Sequence, residues 1–111
     1  MEKKVIDWET AVERLGGDKE FLIELLNELV EQIDQSMPGL KQAIEQKNYP
    51  EVRSIAHGLK GAAANLGADK ISAKFYELET MGKEQKLDGA MDRFNEVLQL
   101  NSELKAELTS V

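Results

Sequence analysis

Residues 52–68 read VRSIAHGLKGAAANLGA. At 100° per residue, Val52, Ile55, Ala56, Leu59, Ala63 and Leu66 gather into a stripe roughly 100° wide, the pattern of a helix that packs on one side. His57, the only histidine of the chain, lies about 160° from the centre of that stripe and so faces solvent. Gly58 and Gly61 each cost about 1 kcal/mol relative to alanine in a helix interior, so the stretch gives up helix stability for another purpose. Gly61 lies one turn beyond His57 on the same face and leaves the ring uncovered on that side. Arg53 lies one turn before His57, Lys60 three residues after it, and small Ala64 beyond Gly61. The face therefore carries a nucleophilic ring flanked by cations, with room for a large partner to approach.

Outward from this stretch the pattern is helical throughout, with no sustained period-two alternation. On the N-terminal side, Asp7 can cap a short helix in which Trp8, Ala11, Val12 and Leu15 share a face, ended by Gly16 and Gly17. Asp18 opens a long helix with Leu22, Leu25, Leu26, Leu29, Ile33, Leu40 and Ile44 inward. Pro38 removes the hydrogen bond to the Asp34 carbonyl and disfavours the helical conformation at Met37, which predicts a kink or a break there. Asn48 or Tyr49 caps the His57 helix, with Pro50 in its first turn and Gly67 at its close. On the C-terminal side, Asp69 opens a helix with Ile71, Phe75, Leu78 and Met81 inward, ended by Gly82. Asp88 starts the last helix, with Met91, Phe94, Val97, Leu98, Leu104 and Leu108 inward. Connections this short make neighbouring helices antiparallel. The expected architecture is all-α: an up-down antiparallel four-helix bundle with a short additional N-terminal helix, residues 1–111 forming one domain.

The 111 residues suffice for one domain, and 41% hydrophobic with 32% charged residues is a globular composition. The apolar runs are too short for a membrane-spanning helix. No basic segment followed by an apolar one opens the chain, which points to a cytoplasmic protein. A net charge of −7 disfavours nucleic acid. With no cysteine and one histidine, the usual zinc ligand sets cannot be assembled, and no metal site is expected. The segment from Gly61 to Gly67 is not a phosphate-binding P-loop, because the spacing between its glycines is one residue too long and Ala68 stands at the lysine position. The acidic residues fall opposite the leucines, as on a solvated helix face.

His57-Gly58-Leu59-Lys60-Gly61, followed by Gly67, resembles the H-x-L-K-G-x(5)-G signature of histidine-containing phosphotransfer (HPt) domains. The likeness extends to the Asp18-Lys19-Glu20-Phe21-Leu22 opening of the long helix and to the Asn65-Leu66-Gly67-Ala68 close of the His57 helix. Gly58 departs from a frequent threonine or lysine and Ala62 from a frequent serine; neither is the phosphoacceptor. The resemblance implies a four-helix bundle that is a phosphorelay carrier rather than an enzyme, with His57 as phosphoacceptor. It implies Lys60 as the phosphate-stabilising cation. Arg53, to which the motif does not extend, is a secondary candidate, and Gly61 and Ala64 give the partner access.

Neutral imidazole is a competent nucleophile near neutral pH. On this resemblance it attacks the aspartyl phosphate of a response-regulator receiver domain, and a second receiver later takes the phosphoryl group. Such transfer asks for in-line geometry and charge neutralisation more than for covalent chemistry. The protein needs no cofactor, and Mg²⁺ is expected on the receiver. A hybrid sensor histidine kinase is a further expected partner, or the longer chain of which this is one domain, and the carrier is expected to be monomeric. The competing reading is a helical adaptor that binds receivers without accepting phosphate.

Overall fold

The computed structural model describes residues 5–111. Five helices follow one another: α1 (Trp8–Arg14), α2 (Lys19–Glu45), α3 (Tyr49–Asn65), α4 (Asp69–Glu84) and α5 (Ala90–Thr109). Helices α2 to α5 pack in a closed cycle in which each touches two neighbours and none touches the helix diagonally opposite. Caps expected from the sequence are in place. Asp7 accepts from the Thr10 amide at 3.3 Å, Asp18 from Phe21 at 3.0 Å and Asn48 from Glu51 at 3.3 Å. Each satisfies an amide that the first turn of its helix leaves unpaired.

The interior is built from Leu22, Leu26, Leu29, Ile33 and Leu40 of α2, Val52, Ala56, Leu59 and Ala63 of α3, Ile71, Phe75 and Leu78 of α4, and Phe94, Val97 and Leu104 of α5. Helix α2 runs unbroken through Pro38, so a break is not found. Met37, Leu40, Ala43 and Ile44 on either side are all buried. A buried leucine contributes about 1.5–3 kcal/mol. Several such residues together offset the roughly 3 kcal/mol that an interior proline costs.

Four sequence expectations are corrected. Leu25 is only half-buried. Leu98 is 41% exposed, and the position that completes the inner face of α5 is Asn101, 1% exposed. Asn101 Nδ2 donates to the Val30 carbonyl at 3.3 Å and to Asp34 Oδ1 at 3.0 Å, while Lys105 Nζ reaches Asp34 Oδ2 at 2.5 Å. A polar residue is tolerated inside because α2 supplies acceptors for its amide. Asp88 does not cap α5; Gly89 does, at φ +84°, with no side-chain hydrogen bond.

Gly82 does not end α4, which continues to Glu84 and turns at Gln85 with φ +58°. It is instead where α4 lies against α3. A Cβ built there would stand 2.9 Å from the Arg53 amide nitrogen and 3.0 Å from the Tyr49 carbonyl oxygen. Only a residue without a side chain lets the two backbones approach this closely, and their approach sets the position of α4 beside His57.

Helix α1 covers one end of the bundle, as expected. Ala11 is buried, and a Cβ at Gly67 would come within 3.0 Å of the Ala11 Cβ. The Glu107 carboxylate of α5 accepts from the Val5 amide and, at 3.1 Å, from Trp8 Nε1. The segment before α1 is thereby tied to the last turns of α5.

Candidate functional site

Burying Val52, Ala56, Leu59 and Ala63 turns the opposite side of α3 outward. His57 stands there with its side chain 68% exposed. Its Nδ1 lies 2.8 Å from Oε2 of Glu79, one and a half turns before the end of α4. An ionised carboxylate only accepts, so Nδ1 carries the proton and donates it. In the neutral ring this leaves the lone pair on Nε2, the nitrogen that points away from the clamp.

Lys60, half-buried, closes the arrangement from the other side. Its Nζ stands 2.6 Å from Oε1 of Glu79, a close ion pair. The Lys60 ammonium, and after it the His57 ring, hold the Glu79 carboxyl below its ordinary range, against the opposing effect of burial. The ring of Tyr76, one turn before Glu79, lies 5.5 Å from Lys60 Nζ, a cation–π distance. Ser72, one turn earlier still, donates from Oγ to the Lys60 carbonyl at 3.0 Å.

Arg53 lines an open cleft of about 380 Å³ with Pro50, Ser54, His57 and Glu79. It makes no ion pair among the described residues. On the other side of the ring, a Cβ at Gly58 or Gly61 would meet nothing within 4 Å, and Ala64 beyond them is small. The packing of the bundle therefore does not require either glycine, in contrast to Gly82. Among the described residues, no group of three or more His, Cys, Asp or Glu side chains is placed to hold a metal ion. No helix of the described residues is long and apolar enough to cross a membrane.

The structure thus brings His57, Lys60, Arg53, Gly61 and Ala64 to one face, as their helical spacing required. Glu79 and Tyr76 were not foreseen. Glu79 is 22 residues from His57 in the chain and reads locally as one more acid on a helix surface. Its one distinguishing sign is that Ser72, Tyr76 and Glu79 recur at i, i+4 and i+7, the spacing of a single face.

Residues 24–110 match the family model described as Hpt domain. The chain belongs to the Hpt domain family. The family function is histidine-mediated phosphorelay between receiver domains, performed by a phosphohistidine carrier that is not itself a catalyst. All of α3, α4 and α5 and most of α2 fall within the matched Hpt segment; α1 lies before it. This Hpt domain is similar to the phosphorelay intermediate protein YPD1 of Candida albicans, 28% identical over 76% of this chain and 47% of that protein. It is similar to the phosphorelay intermediate protein rdeA of Dictyostelium discoideum, 23% identical over 85% of this chain and 37% of that protein. The sensor histidine kinase AruS of Pseudomonas aeruginosa is 35% identical over 64% of this chain and 7% of its own length. The chain spans less than half the length of these relatives. No solved structure matches it.

Proposed function

We propose that this chain is a phosphorelay carrier that takes a phosphoryl group from a receiver-domain aspartyl phosphate onto His57 Nε2 and passes it to another receiver aspartate. The observation that carries the reading is His57 itself: its Nδ1 is tied to Glu79, its Nε2 is free, and the helix beside it is bare at Gly61. The Nε2 lone pair attacks phosphorus in line, an N–P bond forms, and the P–O bond to the aspartate breaks, with the electron pair leaving on the carboxylate. The Nδ1 proton stays where it is, held by Glu79. The phosphorylated ring is then cationic, which makes it a good leaving group when the second receiver's carboxylate attacks. No proton has to move in either direction.

Lys60 keeps the site from being anionic. Without it the Glu79 carboxylate would repel an incoming phosphoryl dianion; with it that charge is neutralised a hydrogen-bond length away. Arg53 adds the uncompensated positive charge on the cleft side of the ring. Mg²⁺ and the carboxylates that hold it are assigned to the receiver. On this reading residues 1–111 act as one Hpt domain, monomeric and cytoplasmic, standing alone or as one module of a hybrid sensor kinase.

The test is transfer from a phosphorylated receiver. The wild type should acquire an acid-labile, base-stable label, and His57→Gln should acquire none. Equal labelling of His57→Gln would refute the assignment, and receiver binding without label in the wild type would favour an adaptor.

A further inference from the structure

Of the large apolar side chains among the described residues, Tyr76 is the most exposed, at 59%, while its neighbour Phe75 is fully buried. Its hydroxyl makes no hydrogen bond among the described residues, and its ring touches the charged site only through Lys60. Neither the core nor the helix explains an aromatic ring here, since tyrosine is a weaker helix former than the polar residues that could occupy a solvated position. Exposed rings of this kind are the side chains that most often dominate binding energy at protein interfaces.

Its location decides which partner it serves. Ser72, Tyr76 and Glu79 form the face of α4 turned toward α3. The Tyr76 ring is linked to the imidazole through Lys60 and the Glu79 carboxylate, by contacts of 5.5, 2.6 and 2.8 Å. A stable protein interface covers about 800 Å² on each partner, a patch of about 16 Å radius. A patch of that size centred on His57 takes in Tyr76 as well, so a folded domain seated squarely over Nε2 covers both.

Charge complementarity cannot supply the affinity alone. The chain is strongly acidic, at −7, and the phosphorylated site of a receiver is anionic too. Arg53 and Lys60 locally offset that repulsion and favour approach, but a short-lived encounter needs apolar area to hold it. The bare surface at Gly58 and Gly61 has no side chain to offer. Tyr76 does, and covering it also removes water from the Lys60–Glu79 pair, which strengthens the clamp on His57 while the partner is seated.

We infer that Tyr76 is the docking anchor that seats the phosphorylated receiver domain over His57, an inference that rests on the carrier reading above. The experiment compares two phosphoryl donors on the wild type, Tyr76→Ala and Tyr76→Phe. One donor is a phosphorylated receiver domain; the other is potassium phosphoramidate, which reaches the imidazole without docking. Tyr76→Ala should raise the half-saturating receiver concentration, and lower receiver transfer relative to phosphoramidate labelling, by about ten-fold or more. Tyr76→Phe, which keeps the ring, should restore both. Half-saturation unchanged in Tyr76→Ala overturns the anchor and leaves the carrier reading standing. An equal loss with both donors also overturns it, since Tyr76 would then act through Lys60 and Glu79. If phosphoramidate labels wild-type His57 and no receiver does, the carrier reading itself fails and the anchor with it.

Discussion

Glu79 Oε2 lies 2.8 Å from His57 Nδ1, while the other oxygen of the same carboxylate lies 2.6 Å from Lys60 Nζ. One acid on α4 thus orients the His57 ring and is itself oriented by the cation three residues along α3. The face around His57 is assembled across two helices, and four expectations follow from how it is held.

Glu79→Ala removes the acceptor for Nδ1–H, frees the ring to rotate and leaves it without a preferred tautomer. Phosphoryl acceptance should fall between about ten- and a hundred-fold, the usual cost of a misplaced reacting group. Glu79→Gln can still accept from Nδ1 and should lose much less. Single-turnover labelling of the two variants distinguishes them; equal rates would mean that the hydrogen bond does not orient the ring.

The same carboxylate sets a pH expectation. Lys60 first, and His57 after it, hold the folded-state Glu79 below its ordinary value of 4.5. A group depressed in the folded state contributes stability that is complete above its unfolded value and is lost as pH falls through the folded one. The stability difference between wild type and Glu79→Gln should therefore shrink as pH falls below about 4.5. Urea denaturation at a series of pH values measures it. A difference that stays constant between about pH 5 and about pH 3 would mean that the carboxylate's partners contribute no stability.

Lys60 and Arg53 should separate in their effects, because one is paired and the other is not. Lys60→Ala leaves Glu79 uncompensated beside the acceptor and should slow transfer from any phosphoryl donor. Arg53→Ala should act mainly on encounter with an anionic partner, slowing receiver transfer by about three- to ten-fold at low salt and by less as salt rises. Transfer rates across a salt series check both. An Arg53→Ala defect that does not respond to salt would argue against steering.

The glycines give a stability contrast. A Cβ at Gly61 meets nothing within 4 Å, so Gly61→Ala should raise stability by about 1 kcal/mol, whereas Gly61→Phe should block receiver transfer and still permit labelling by phosphoramidate. A Cβ at Gly82 would stand 2.9 Å from the Arg53 backbone nitrogen. Gly82→Ala should therefore push α4 off α3, destabilise by about 1–3 kcal/mol and draw Glu79 away from His57. Thermal unfolding with single-turnover labelling follows both. Similar melting shifts for the two alanine variants would contradict the packing described.

How much of this was written in the chain depends on the range of the interaction. Helix positions, three of the caps and the exposure of His57 follow from neighbours within a few residues, so apolar spacing and the capping side chains at Asp7, Asp18 and Asn48 were enough to read them. The Hpt signature covers that same local stretch. Leu98 and Asn101 show where residue type misleads. On α5 Leu98 lies at the edge of the apolar stripe and Asn101 near its centre, so the helical repeat turns position 101 inward; that an asparagine is tolerated there depended on the Val30 carbonyl and the Asp34 carboxylate of α2 being in reach.

Gly82 marks the limit more sharply. Locally it reads as a helix stop, and only the backbone of α3 lying against it makes it an interior residue of α4. From that close approach comes the placement of Glu79 and Tyr76 beside His57 and Lys60. The sequence by itself determined which nitrogen-bearing ring would stand in solvent and which turn beside it would be bare, because both are set by helical repeat. Which acid would hold that ring, and which aromatic would border it, was decided only by tertiary structure, since side chains on separate helices meet according to the rotation and separation of the helices.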